Sequence, residues 1–132
     1  MIVVDATVVS DFLLGEGAIQ LAAKALVMED PEWVSSPLWR FEFGNVMLKL
    51  HRHTGLHVSE PESRFAYAES MIAKTVDEIA WSEVWDLAVK DGLSFYDASY
   101  AWLARSRALM LRTRDKGILH NCPDVARPMP VT

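Results

Sequence analysis

The stretch Met1-Ile-Val-Val-Asp5-Ala-Thr7 decides how this chain begins to fold. The apolar residues from Ile2 to Val4 predict a short buried strand. The strand stops at once on a carboxylate, which is costly to bury unless a partner compensates its charge. An explanation of Asp5 therefore has to come from the residues that the fold places around it.

The composition is that of an ordinary globular protein. The 132 residues are 51% hydrophobic and 23% charged, which predicts one domain over residues 1–132 with one apolar core. The apolar runs are too short to span a bilayer, and no signal-peptide pattern opens the chain. The single cysteine, Cys122, cannot form an intrachain disulfide. We therefore expect a cytoplasmic protein with no membrane association.

Short apolar segments alternate with helical segments along the chain. Strands are predicted at residues 2–4, 33–35, 109–113 and, more weakly, 76–79, with a last short strand from Val125. Helices are predicted at residues 7–14, 18–28, 38–53, 59–73, 82–90 and 94–107, with a short one from Asp115. The helix at 59–73 is predicted from the capping box Ser59-Glu60-Pro61-Glu62. This alternation is typical of an α/β fold, with a parallel sheet covered by helices on both faces.

Four acidic residues stand in unusual places in this pattern. Asp5 and Asp115 follow predicted strands, and the carboxyl ends of parallel strands form the edge where α/β sheets bind ligands. Glu42 borders the apolar stripe of its helix, and Asp97 heads a helix face of small and aromatic residues. Carboxylates that converge repel one another and need a cation, and hard oxygen ligands select Mg²⁺ or Mn²⁺. Such ions can activate a water nucleophile and stabilise a phosphate leaving group.

Each acid also has a purely structural interpretation. Asp5 and Asp115 are suited to cap the helices that follow them. Asp97 could be the acidic half of a capping box begun by Ser94, and Glu42 could pair with an arginine. Taken singly, these interpretations are at least as good as catalysis. Taken together they are weaker, because an α/β sheet could bring all four acids to one edge.

A basic cluster surrounds the last of these acids. The twelve residues 105–116 include five cations and one acid: Arg105, Arg107, Arg112, Arg114, Asp115 and Lys116. The first two arginines suit the C-terminal end of a helix, and the whole cluster could be a solvated face. The other three cations, Arg112, Arg114 and Lys116, are candidates for contacts with phosphate groups. The net charge of -5 argues mildly against such a partner, so the local distribution carries this prediction.

Four segments together resemble the PIN-domain nucleases, and among them the VapC-like toxins of bacterial and archaeal toxin–antitoxin pairs. The segments are VVDAT around Asp5, PLWRFEFGNV around Glu42, LSFYDASYAWLA around Asp97 and LRTRDKGI around Asp115. They follow the family's order over nearly the whole chain. The resemblance implies a three-layer α/β/α domain in which these four acids form the metal site of an endoribonuclease.

The resemblance also implies supporting residues. Thr7 and Thr113 match hydroxyl positions beside the first and last acids, and Asn45 matches an asparagine on the helix of Glu42. Some relatives carry a further acid or asparagine after the last aspartate, where this chain has Lys116-Gly117-Ile118. A fifth acidic ligand is therefore not expected.

The function implied is Mg²⁺- or Mn²⁺-dependent cleavage of RNA by a toxin that a cognate antitoxin restrains. A homodimer, or a hetero-oligomer with the antitoxin, is implied in the same way. The alternative is a catalytically silent PIN-like module that acts by binding a protein or RNA.

Other functions fit the residues less well. A haloacid-dehalogenase-like phosphatase needs a second aspartate where this chain has Thr7, and a response-regulator receiver needs an acidic pair near the first strand. Asp11 lies too far along its helix to complete such a pair. His51, His53 and His57 do not share one helix face, so we expect no zinc site there.

Overall fold

The computed structural model describes residues 1–53, 60–76 and 78–131. Within these ranges the elements in chain order are β1 (Ile2–Val4), α1 (Ala6–Leu14), α2 (Gly17–Glu29), β2 (Trp33–Ser35), α3 (Trp39–His53), α4 (Pro61–Met71), β3 (Ile72–Thr75), α5 (Trp81–Asp91), α6 (Phe95–Arg107), β4 (Leu111–Arg112), α7 (Lys116–Asn121) and β5 (Ala126–Arg127). No helix of these ranges is both long and apolar enough to cross a membrane.

The five strands form one parallel sheet in the order β3-β2-β1-β4-β5. The chain moves outward from β1 to β2 and β3, then returns across the sheet to β4 and β5. Strand order therefore reverses between β1 and β4, where α/β sheets place their ligand sites. Right-handed crossovers put α1 to α4 on one face and α5 to α7 on the other. The packing of α1 against α2, α3 and α4, and of α5 against α6, agrees with this three-layer α/β/α arrangement, as predicted.

The core holds the helices in fixed positions on the sheet. Val3, Val4 and Leu111 of the central strands are fully buried. On one face, the buried Trp39 of α3 stacks on Phe65 of α4 with ring centroids 5.6 Å apart. The Trp39 indole N–H also donates a hydrogen bond of 2.9 Å to the Thr75 hydroxyl at the end of β3. Burial of such rings contributes strongly to stability and anchors the first turn of α3 against the sheet.

The predicted third strand at 76–79 is wrong, because the strand spans Ile72–Thr75 and begins where α4 ends at Met71. Trp33 pairs with Ile72 and Ser35 with Thr75 along the neighbouring strand β2. This strand lies at the sheet edge, with residues 73 and 74 exposed, so its sequence carries neither an apolar run nor a clean alternation. Pairing with β2 decides its position. The capping residue predicted for α4, Ser59, lies outside the described residues, and the helix begins at Pro61.

Candidate active site

Asp5 lies at the carboxyl end of β1 and caps α1. Its Oδ1 accepts a hydrogen bond of 3.0 Å from the backbone N–H of Val8, so the capping interpretation is correct. The cap uses only one carboxylate oxygen. The Ser35 hydroxyl donates to the Val4 carbonyl at 2.7 Å, which ties β2 to the end of β1 directly before Asp5. The side chain of Asp5 is thereby held at the switch point of the sheet, with Oδ2 turned toward β4.

The Thr113 hydroxyl joins the first and last acids. Its Oγ1 donates to Asp5 Oδ2 at 2.7 Å and accepts the backbone N–H of Asp115 at 3.0 Å. Asp115 in turn caps α7, because its Oδ1 accepts the N–H of Ile118 at 2.9 Å. One fully buried hydroxyl therefore sets how the end of β1 and the start of α7 face each other.

We expect Thr113→Val to impair both stability and any activity of this site. The substitution leaves Asp5 Oδ2 without its buried donor, which costs about 1–3 kcal/mol of unfolding free energy. Loss of a residue that orients a metal ligand typically lowers metal affinity or activity about 10–100-fold. Thermal unfolding and Mg²⁺ titration measure the two effects. Thr113→Ser is the matched control, because it keeps the hydroxyl, and an equal loss in both variants would contradict the assigned role.

Glu42 and Asp97 come from helices on opposite faces of the sheet, α3 and α6. The Tyr100 hydroxyl donates to Glu42 Oε2 at 3.4 Å. Glu42 has no arginine partner in the part of the chain that the structure describes; Arg40 pairs with Glu69 instead. Ser94 caps α6 by accepting the backbone N–H of Asp97 at 3.1 Å, as its predicted capping role requires.

The four acids form one electrostatic cluster. Burial, and secondarily the nearby Asp97, raises the pKa of Asp5 from 3.8 to about 6, although Thr113 and the Val8 N–H act in the opposite direction. Burial raises the pKa of Glu42 from 4.5 to about 7, with added repulsion from Asp5, Asp97 and Asp115. Burial and then Asp115 raise the pKa of Asp97. The acids predicted from the sequence are thus close enough to disfavour one another's charge.

The donor chemistry of the cluster fits a hard divalent cation, but its geometry is open. Carboxylate oxygens are the hard ligands that Mg²⁺ and Mn²⁺ prefer. Across residues 1–53, 60–76 and 78–131, however, no three His, Cys, Asp or Glu side chains lie close enough to hold one ion together. A cation at this site would therefore require the side chains to move toward it.

Two of the three basic candidates form ion pairs within the protein. Arg112 donates to Glu29 Oε2 at 2.7 Å, and Arg114 makes a bidentate pair with the buried Asp11 at 2.6 and 3.0 Å. The charges of Asp5 and Asp115, after Asp11, help raise the pKa of Arg114, so its guanidinium lies near the acids. Lys116 is exposed at the start of α7. Contacts of these three cations with RNA stay a prediction.

In the described part of the chain, one cleft is lined by two of the four acids, and a larger cleft adjoins it. The smaller, of about 360 Å³, lies between α3 and α6 and is lined by Thr7, Phe41, Glu42, Asn45, Val46, Lys49, Ser94, Tyr96 and Asp97. The larger, of about 740 Å³, shares Thr7 and Val46 with it and reaches Asp11 and Arg114. The predicted supporting residues Thr7 and Asn45 therefore line the space in front of the acids. Their role there stays a prediction.

Three residues at this site were not predicted from the sequence: Asp11, Lys49 and Tyr100. Lys49 stands seven residues after Glu42, two helical turns on, so helical periodicity places both on one face of α3. That signal was available in the sequence. The contact between Tyr100 and Glu42 crosses 58 residues and that between Asp11 and Arg114 crosses 103, so neither has a local signature.

Among the described residues, the remaining ones considered from the sequence do not line the cleft that contains Glu42 and Asp97. Arg105 pairs with Asp91 and Asp124 at 2.9 and 2.8 Å, which is a structural role. Burial raises the pKa of the Cys122 thiol to about 11, which disfavours a reactive thiolate. His51 and His53 occupy the last turn of α3. His57 lies outside the described residues.

The sequence pattern of the family described as "PIN domain" matches residues 2–122. This chain belongs to the PIN-domain family. The predicted family is thereby confirmed, and its known members that resemble this chain include VapC proteins. One is Exonuclease VapC9 of Pyrobaculum aerophilum, which is 46% identical over 46 residues. That match spans 35% of each of the two proteins.

Solved PIN-like structures share the fold over almost the whole chain. PAE2754 from Pyrobaculum aerophilum has a TM-score of 0.76 at 25% identity, covering 96% of this chain and 88% of that one. A toxin–antitoxin complex from Klebsiella pneumoniae has a TM-score of 0.69 at 19% identity, covering 96% of each chain. Mycobacterium tuberculosis VapC20, described as a Sarcin-Ricin loop cleaving toxin, has a TM-score of 0.69 at 16% identity, covering 98% and 100%. The last two likenesses show the fold alone.

Proposed function

We propose that this PIN domain is a Mg²⁺- or Mn²⁺-dependent endoribonuclease and the toxin of a toxin–antitoxin pair. The observation that supports the activity is the electrostatic cluster of four carboxylates at the switch point of the sheet. Acids that destabilise one another's charge reduce the stability of a fold, and such groups concentrate at functional sites. Membership of the PIN family supports the same conclusion.

In this proposal Asp5, Glu42, Asp97 and Asp115 hold the cation. When bound, the cation supplies a Lewis acid that offsets the charge growing on the phosphate in the transition state. The Thr113 hydroxyl holds Asp5 and Asp115 beside each other, because it bonds to the carboxylate of Asp5 and to the backbone N–H of Asp115. Tyr100 restrains Glu42 through its hydroxyl. These two hydroxyls restrict the positions of three of the four acids, Asp5, Asp115 and Glu42.

A circular RNA substrate tests the cutting mode directly. We expect purified protein to convert circular single-stranded RNA to linear products with Mg²⁺ or Mn²⁺, and to leave it intact with a chelator. Gel mobility of the circle measures the result. The relative VapC9 is named an exonuclease, and an exonuclease would degrade linear RNA while sparing the circle. Cleavage that is unaffected by chelator would contradict the metal requirement.

An antitoxin partner is proposed from the relatives and from the larger cleft. One structural neighbour is a toxin–antitoxin complex, and the apolar side chains Leu14, Ile19 and Val46 line the cleft of about 740 Å³ beside the acids. Apolar grooves of this kind suit a peptide segment that docks by its own apolar side chains. The test is co-purification with the product of a neighbouring gene and loss of RNA cleavage in the complex.

We also propose a homodimer of the isolated chain. Its mass measured by light scattering tests this proposal.

A catalytically silent binding module remains the second candidate function. The observation that favours it is that no three of the acidic side chains in the described residues converge on one point. Such a module would bind RNA or a protein partner and leave RNA intact at every Mg²⁺ or Mn²⁺ concentration. Isothermal titration with Mg²⁺, run beside the circular-RNA assay, separates the two candidates.

A further inference from the structure

Two exposed aromatic rings flank the smaller cleft, and each directly precedes one of its acids. Phe41 precedes Glu42 on α3 and is 71% exposed, while Tyr96 precedes Asp97 on α6 and is 45% exposed. Exposed apolar side chains scattered singly need no explanation. Two large rings that line one cleft from opposite helices are different, because together they offer flat surfaces beside the proposed point of cleavage.

The same cleft contains a lysine that pairs with no acid of the described residues. Lys49 is exposed, lines the cleft and makes no ion pair within the described ranges of the chain. Arg112 and Arg114, by contrast, are bound to Glu29 and Asp11. Lys49 lies eight residues after Phe41, which is about 12 Å along the helix axis. The α3 side of the cleft therefore presents a ring, an acid and a cation in that order.

We propose that this cleft holds one unstacked nucleotide of single-stranded RNA, with its base against Phe41 and Tyr96 and a flanking phosphate at Lys49. The proposal rests on the proposed function, because Glu42 and Asp97 line the same cleft. A volume of about 360 Å³ is near the lower end of small-molecule pockets, so it suits a single nucleotide and not a duplex. Aromatic faces bind bases of single strands and loops, where the bases are free to leave their stack.

The experiment measures binding separately from cleavage. Single-stranded RNA carrying 2-aminopurine at successive positions is titrated with protein in calcium buffer, and both fluorescence quenching and anisotropy are recorded. We expect strong quenching at one position of the bound RNA. Phe41→Ala and Tyr96→Ala should each lower affinity about 10-fold and abolish that quenching, since each removes a ring on which the base stacks. Tyr96→Phe keeps the ring and should bind normally.

Matched variants control for exposure and charge. Tyr67→Ala removes a ring that is 54% exposed on α4 and lines neither of the two clefts beside the acids, so RNA binding should not change. Lys49→Gln should weaken RNA binding at low salt and reduce the slope of log affinity against log salt concentration by about one. Lys49→Arg keeps the charge and should leave both unchanged. Lys24→Gln changes an exposed lysine of α2 outside the cleft and should have no effect.

Several outcomes would overturn the nucleotide site. Unchanged affinity and quenching in both alanine variants would do so, as would equal binding of duplex and single-stranded RNA, or an absence of RNA binding by the unmodified protein. Loss of antitoxin binding with normal RNA binding in the ring variants would assign the rings to a protein partner instead. Quenched, bound RNA that stays uncut with Mg²⁺ or Mn²⁺ would contradict the proposed nuclease and support the nucleotide site.

Discussion

Asp97→Asn is expected to lower RNA cleavage about 1,000-fold while the melting temperature does not fall. A divalent ion supplies several kcal/mol of charge stabilisation to a phosphate transition state, and each 1.4 kcal/mol is a tenfold change in rate. The carboxamide has no charge for the ion. The substitution also removes a carboxylate whose pKa is raised by burial and by Asp115. The folded state therefore loses the repulsion between Asp97 and Asp115 that it carries at neutral pH.

The opposite responses of rate and stability separate a functional role from a structural one. Single-turnover cleavage and thermal unfolding are measured on the same preparation. Asp86→Asn is the matched control, because it makes the same change on an exposed position of α5 and should alter neither quantity. Near-normal cleavage by Asp97→Asn would remove this residue from the metal site. A large fall in melting temperature would show that the carboxylate supports the fold.

With chelator present, the protein is expected to lose stability as pH rises from about 4 to above 7. The pKa of Asp5 is raised to about 6 and that of Glu42 to about 7, so the folded state binds protons more tightly than the unfolded chain. The stability from these protons is fully present below the unfolded values of 3.8 and 4.5 and is lost as pH passes the folded values. For the buried Asp5, the rise of the pKa from 3.8 to about 6 corresponds to about 3 kcal/mol of stability.

Addition of Mg²⁺ should reverse this loss at pH 8 and have little effect at pH 5. The ion binds the charged carboxylates, and protons compete with it at low pH. Melting temperatures with chelator or Mg²⁺ across this pH range give the measurement. Glu42→Gln should flatten the upper part of the chelator curve. Asp124 should behave in the opposite way, because its hydrogen bond with Arg105 lowers its pKa. The stability that Asp124 contributes is lost only as pH falls below the ordinary pKa of an aspartate. A flat chelator profile above pH 4 would contradict the pKa shifts.

Most of the fold was predictable because its signals are local. The run from Ile2 to Val4, Ser94 as a cap and Asp115 before a short helix each depend on neighbours a few residues away, and each prediction agrees with the structure. The edge strand β3 was not predictable in the same way. Its residues Ala73 and Lys74 are exposed, so only the pairing with β2 makes the segment a strand.

The sequence by itself determined the alternation of strands and helices, because apolar periodicity is a local signal. Its four motifs also indicated the family and named the four candidate acids. Only the tertiary structure showed that Thr113 binds both Asp5 and the backbone of Asp115, and that Arg114 binds Asp11. These contacts depend on strand order, which brings β4 beside β1 across more than 100 residues. Asp5 looked from the sequence like either a helix cap or a metal ligand. In the structure one of its oxygens caps α1 while the other reaches across the switch point, so capping leaves the proposed ligand role open.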